Sequence, residues 1–149
     1  MPEATTDDRV LSISRVIKTT PEALFDAWTD PRLLLQWWGP EGTTMPDYAF
    51  DARVGGAWKS TMVNAAGDGQ ECSGVYTVLD RPRRLAMTWG WLRPDGTRGH
   101  ETVITVSFEK AAGGTLMTFT QQTFQNAEQS ALHGHGWTST FNKLVRLFE

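Results

Sequence analysis

The chain has 149 residues with a formal net charge of −3, and 40% of it is hydrophobic and 21% charged. That is the size of a single domain (1–149) with one core, able to bury roughly 70% of its unfolded surface without disulfides or a structural metal, and the composition excludes disordered, collagenous and coiled-coil classes. Scattered basic residues argue against nucleic-acid binding, the lone Cys72 excludes an internal disulfide and a zinc pattern, and no run approaches the ~20 apolar residues of a membrane span.

In chain order, the polar and acidic start, residues 1–8, lacks the basic and apolar regions of a signal peptide, so a cytoplasmic protein is expected. Residues 9–17 alternate (Val10, Leu11, Ile13, Val16, Ile17) and predict a strand. Thr20-Pro21-Glu22 has the chemistry of a helix start: a hydroxyl cap, a proline at the first position and an acid at the positive end. Leu24, Phe25 and Trp28 share the face of that helix. Asp30-Pro31 repeats the punctuation and opens a second helix through Leu34, Trp37 and Trp38, which Gly39-Pro40 ends. Six further strands are expected at 45–52, 57–63, 71–80, 84–92, 102–110 and 115–124, separated by Gly-rich turns and therefore joined as an antiparallel meander. Helical period returns over 127–148 behind a cap at Asn126, with Ala127, Ser130, Gly134, Trp137, Thr138, Phe141, Val145 and Phe148 on one face. A helix of roughly 30 Å and one long antiparallel sheet have one economical arrangement, an α+β fold in which the sheet curls around the helix.

The seven Trp and seven Phe mean a large aromatic interior or a pocket lined by rings. Strand alternation aims Trp58, Ser60 and Met62, then Leu85, Met87, Trp89 and Trp91, then Ile104, Val106 and Phe108, and finally Met117, Phe119 and Gln121 at the concave side. A buried amide at Gln121 needs a partner, which is water, a side chain or a ligand, unless the strand ends in solvent there. Gly134, central on the helix face, marks either close backbone packing or ligand space. Arg15 continues the inward register of its strand and either enters the cavity mouth, with Asp51 or Glu101 as partner, or twists outward. His133 and His135 point in nearly opposite directions on a helix and His100 shares no geometry with them, so no metal is expected. Cys72 is expected to serve packing. No nucleophile elbow, phosphate loop, dinucleotide fingerprint or zinc-protease motif is present, and no cofactor is implied.

Several short motifs recur together: Ser14-Arg15-Val16-Ile17, Thr20-Pro21-Glu22, Ala27-Trp28-Thr29-Asp30-Pro31, Trp37-Trp38-Gly39-Pro40, Asp51-x-Arg53-x-Gly55-Gly56, Pro82-x-x-Leu85, Gly114-Thr115 and Gly136-Trp137. In this order and spacing, over nearly the whole chain, they resemble the family named after the activator of the heat-shock-protein-90 ATPase, within the START or Bet v 1-like superfamily of helix-grip folds. The resemblance implies a curved sheet of about six or seven strands gripping a long C-terminal helix, two small helices closing one end, and a cavity between. Such cavities hold apolar or aromatic small molecules, and some relatives cyclise polyketides or hydrolyse or sequester reactive compounds. Gln121 stands where many relatives place a polar strand residue and is not a histidine, which counts against acid-base chemistry there. The namesake's co-chaperone activity depends on a further N-terminal domain, which the sequence given does not include.

The expectation is therefore a monomeric or homodimeric carrier, sensor or sequestering protein for a hydrophobic small molecule, with no membrane or nucleic-acid partner. Its cavity would be lined by Trp58, Met62, Met87, Trp89, Val106, Phe119, Gln121, Gly134, Trp137 and Phe141. Two alternatives stand beside it. One is a cyclase or hydrolase that polarises a carbonyl through Gln121, His133 or Arg15; the other is a module that binds a chaperone partner through an exposed apolar patch.

Overall fold

The computed structural model describes residues 9–149; the acidic start at 1–8 lies outside the described residues. Its elements run β1 (Leu11–Ile17), α1 (Pro21–Thr29), α2 (Pro31–Leu34), β2 (Thr44–Phe50), β3 (Ala57–Val63), β4 (Gly69–Asp80), β5 (Arg84–Trp91), β6 (Thr102–Ala111), β7 (Gly114–Gln122) and α3 (Ala127–Leu147). Seven strands form one antiparallel sheet in the order β1-β7-β6-β5-β4-β3-β2. All neighbours but one are consecutive in sequence. The exception closes the order at one edge, where β1 meets β7 with Leu11 opposite Gln121 and Ile17 opposite Thr115. Register shifts between Thr44 and Asp47 and between Tyr76 and Val78 insert the extra residues that bend a sheet, and the curved sheet holds α3.

The helix starts form as their sequences predict. Thr20 Oγ1 accepts from the Ala23 amide at 3.1 Å, Asp30 Oδ1 from Arg32 at 3.0 Å and Asn126 Oδ1 from Gln129 at 2.9 Å. Each satisfies an amide that the first helical turn leaves unpaired.

The second helix is shorter than expected: α2 has four residues, and a turn carries the chain on to Trp38. Both following rings are committed to separate elements. Trp37 Nε1 donates back to Ala27 O at 3.0 Å, and Trp38 Nε1 reaches forward to Ser60 Oγ on β3 at 3.1 Å. Two expected strands also overshoot. β2 stops at Phe50 because Asp51 and Arg53 enter a turn (Arg53 N to Asp51 O, 2.8 Å). β7 stops at Gln122 because Thr123 takes φ +69°.

The buried stripe of α3 is rotated from the expected face. Ser130, Trp137, Thr140, Phe141 and Leu144 are buried, whereas Ala127 and Thr138 are exposed and Gly134, Val145 and Phe148 lie between. The helix docks by the side that meets the aromatic core, and apolar periodicity alone placed that side about one residue off. At the centre of that core, Trp28 stacks against Phe119 and Trp137 at 6.3 and 6.2 Å and meets Trp37 edge-on at 4.8 Å. Such offset and edge-to-face pairs satisfy the ring quadrupoles.

Candidate functional site

A cavity of about 540 Å³ lies between the sheet and the N-terminal half of α3. Trp89 and Trp91 of β5, Trp137 of α3 and Trp38 from the turn after α2 wall it with four indoles, and Met62 adds a thioether. Asn64, Asp68 and Gln70 of the β3–β4 hairpin, and Gln129 and Leu132 of α3, complete the wall. Leu132 is 56% exposed, so this side opens to solvent. Among the described residues, Asp68 is the one formally charged side chain on the wall. A smaller cavity of about 180 Å³ shares Trp89, Trp91, Gln129 and His133 with the first.

Three of the ten residues expected to line a cavity, Met62, Trp89 and Trp137, do so. Trp58, Met87, Val106, Phe119 and Phe141 are buried in the core instead. Their strand and helix faces are the inward ones, as alternation indicates, but neighbouring rings fill the space over them. Trp58 sits in the sheet's own packing. Its Nε1 donates to Thr88 O at 3.2 Å, across a position where a Cβ on Gly74 would lie 1.8 Å from that same oxygen. Gly74 is thus a glycine of close approach.

Gly134 belongs to close packing rather than to the cavity wall. A Cβ there would lie 3.2 Å from Leu11 Cδ1 of β1. The glycine on the wall is Gly136, whose Cβ would be 3.8 Å from Pro40 Cγ.

Gln121 is fully buried and satisfied by protein. Its Nε2 donates to Thr102 Oγ1 at 2.8 Å and its Oε1 accepts from Trp137 Nε1 at 2.8 Å. The amide fastens β7 to β6 and α3, which answers the question of its partner without a ligand.

His133 is held at both nitrogens. Trp91 Nε1 is donor-only, so Nε2 must accept from it (2.9 Å). Nδ1 therefore carries the proton and donates to Gln129 O at 2.8 Å. Burial pushes the imidazole below its ordinary range, and the Gln129 carbonyl offsets this only in part. The neutral tautomer joins β5 to α3 and separates the two cavities, with Phe124 at 4.8 Å on its flank.

Arg15 finds neither of its expected partners. Its guanidinium donates to Asn142 Oδ1 of α3 at 2.7 Å, while Asp51 pairs with Arg53 at 2.8 Å and Glu101 with Arg98 at 2.6 Å. Cys72 is buried beside Ser60 Oγ (3.2 Å), and burial pushes its thiol up to about 12. Among the described residues, no three of His, Cys, Asp and Glu are grouped so as to hold a metal ion.

Strand and helix patterning missed Trp38, Pro40, Leu132 and Gly136 as wall residues. One signal was available for the turn: Gly39, at φ +85°, lies between Trp38 and Pro40 and turns the chain over the cavity. A second is the pairing of Trp89 and Trp91, two apart on a strand, with His133 and Trp137, four apart on a helix. These spacings put two rings from each element on facing sides.

Seven antiparallel strands curved around a long C-terminal helix, with short helices after the first strand, define a helix-grip α+β protein of the START/Bet v 1-like class. Residues 18–149 match the model of the activator of Hsp90 ATPase homolog 1-like family, and the chain belongs to that family. It is similar to an AHSA1 protein from Silicibacter pomeroyi, with 36% identity over 92% of this chain and 95% of that one and a TM-score of 0.86. A protein from Chromobacterium violaceum is 26% identical over 95% and 98% of the two chains, with a TM-score of 0.82. One from Mycobacterium smegmatis, 21% identical over 95% and 91%, shares the fold with a TM-score of 0.81. No curated protein matches the chain.

Proposed function

We propose that this protein binds a hydrophobic or aromatic small molecule in the cavity between the sheet and α3, as a carrier, sensor or sequestering protein. The observation that carries the reading is the 540 Å³ cavity walled by Trp38, Trp89, Trp91 and Trp137. Its volume falls within the ~300–1,000 Å³ of small-molecule sites, and four indoles offer area and polarisable faces at little rotamer cost.

A catalytic role has less support. Gln121, His133 and Arg15, the groups able to polarise a carbonyl, are each engaged by protein partners. A chaperone-interaction role draws on the family's name. The exposed large apolar side chains, Val10, Val16, Tyr48, Val54, Val75, Leu92 and Leu132, are spread over several strands, loops and α3.

The test is a titration with a naphthalene-based fluorescent probe, read by quenching of tryptophan emission, alongside native mass spectrometry of the purified protein. Saturable binding at one site per chain is expected. No saturable binding by any apolar aromatic probe would overturn the reading.

A further inference from the structure

The smaller cavity, of about 180 Å³, differs from the larger one in charge. Among the described residues, Arg93 is the one formally charged side chain on its wall, whereas the larger cavity has the carboxylate of Asp68. Its volume suits an occupant smaller than those of the ~300–1,000 Å³ sites that take drug-sized molecules.

The loop between β5 and β6 fixes where this arginine stands. Arg93 N donates to Thr97 O at 2.7 Å, Gly96 N to Arg93 O at 2.9 Å and Gly99 N to Trp91 O at 2.7 Å, so the backbone around Arg93 is tied down. Gly99 is also on the cavity wall, and a Cβ there would lie 3.6 Å from Arg93 Nε and 3.8 Å from its Cγ. The arginine stem and the root of its guanidinium therefore run along the wall.

That guanidinium is unspent. Arg98, in the same loop, donates to Ser73 Oγ at 3.1 Å and Ser73 O at 2.6 Å and pairs with Glu101 at 2.6 Å. Arg93 has no hydrogen bond or ion pair from its side chain among the described residues. Asp95 interacts with it through space, but that carboxylate is held by Thr97, whose N and Oγ1 donate to Oδ1 at 2.9 and 2.6 Å.

The rest of the wall offers flat carbon surface and neutral donors. Trp91 has given its N–H to His133, and Phe124 is buried beside the same imidazole. The chain enters Phe124 through Thr123, a β-branched residue held at φ +69°, whose carbonyl accepts from His100 Nε2. A β-branched side chain is strained in that region and persists there only where its surroundings enforce it. The side-chain amides of Gln125 and Gln129, also on the wall, have no protein partner among the described residues. One guanidinium fork carries a single charge and matches a monocarboxylate through two parallel N–H···O bonds, while a phosphate dianion calls for a second cation.

We propose that the smaller cavity is a second binding site, which takes a small monocarboxylate with a flat apolar body: the carboxylate pairs with Arg93 and the body lies against Trp91 and Phe124. This site stands apart from the occupant of the larger cavity.

The experiment titrates the protein with benzoate, with benzamide as its uncharged counterpart and with inorganic phosphate, following the Arg93 Nε–H, Trp91 indole and Phe124 ring signals by NMR. Saturable shifts at all three positions are expected with benzoate, and benzamide should bind at least about tenfold more weakly, as a charge-assisted pair requires. Added salt should weaken benzoate and leave benzamide unchanged. Arg93→Gln removes the charge from a side chain that makes no protein contact of its own, so the fold should be kept while the preference for benzoate over benzamide disappears. Arg93→Lys, which keeps the charge without the fork, should fall between the two. Should either variant fail to fold, the Arg93 Nε–H shift in the unmodified protein decides the matter.

Benzamide binding as tightly as benzoate, phosphate binding more tightly than benzoate, an unmoved Arg93 signal, unchanged benzoate affinity in Arg93→Gln, or no saturable benzoate binding at all would overturn this inference. Each of these results leaves the reading of the larger cavity in place, because that reading is tested with an uncharged naphthalene probe.

Discussion

The two glycines of α3 make opposite predictions, although they lie two residues apart in one helix. Glycine in a helix interior is about 1 kcal/mol worse than alanine, so each substitution to alanine starts from the same favourable term. At Gly136 the new Cβ would be 3.8 Å from Pro40 Cγ, an ordinary contact, so Gly136→Ala should raise stability by about 1 kcal/mol, equivalent to roughly 2–4 °C in Tm for a domain of this size. At Gly134 the Cβ would be 3.2 Å from Leu11 Cδ1. Leu11 must give way there, and Gly134→Ala should gain little or nothing.

Leucine separates the positions further. Gly136→Leu extends from the cavity wall into the space a ligand would use, so it should hold stability while weakening a naphthalene probe by about tenfold or more. Gly134→Leu overpacks the contact with β1, at a cost of about 1–3 kcal/mol, and should leave probe affinity unchanged. Urea denaturation followed by tryptophan emission and a probe titration measure both quantities. The reasoning fails if Gly136→Ala destabilises, or if leucine at 134 blocks the probe and leucine at 136 does not.

Phe141→Ala, which empties a fully buried position beside Phe119 (5.2 Å) and Trp137 (5.4 Å), should cost about 3–5 kcal/mol in urea unfolding. A loss under about 1 kcal/mol would mean that α3 does not dock through this ring. Gln121→Leu strands the donor of Trp137 and a partner of Thr102 and should cost about 1–3 kcal/mol; because Gln121 is not on the cavity wall, probe affinity should be retained, and its collapse would return the amide to the site. The depressed His133 pKa means that the unfolded chain binds its proton more readily than the folded one. Stability should therefore be complete above the ordinary value of 6.5 and fall as pH drops through it. His133→Gln should flatten that dependence of the denaturation midpoint on pH, and an unchanged slope would assign it elsewhere. Cys72, buried and with its thiol pushed up to about 12, should resist a thiol reagent at pH 8 until denaturant is added; rapid labelling of the folded protein would contradict its burial.

Local chemistry made much of the fold legible. The caps at Thr20, Asp30 and Asn126, the alternation of β3, β5, β6 and β7, and the turn glycines act within a few residues of themselves. Their outcome therefore follows from the sequence without knowledge of distant partners. The same alternation correctly aimed Trp58, Met87, Val106 and Phe119 inward, but it could not say whether they face packed rings or open space. That depends on which bulky side chain arrives from another element. Trp28, Phe119, Trp137 and Phe141 fill one part of the space between sheet and helix, and the shorter α2 sends Trp37 and Trp38 to different neighbours.

Only the tertiary structure decided that Gly136 and not Gly134 lies on the cavity wall, because two helix positions about 200° apart face different neighbours, and docking of α3 turns Gly134 to Leu11 of β1 and Gly136 to Pro40 and the cavity. It also decided that Gln121, His133 and Arg15 are each bound to protein, while Trp89 alone keeps an unmatched N–H. Hydrogen-bond satisfaction between residues tens of positions apart has no local signature in a sequence. It depends on atoms that the chain brings together only when the sheet closes around the helix.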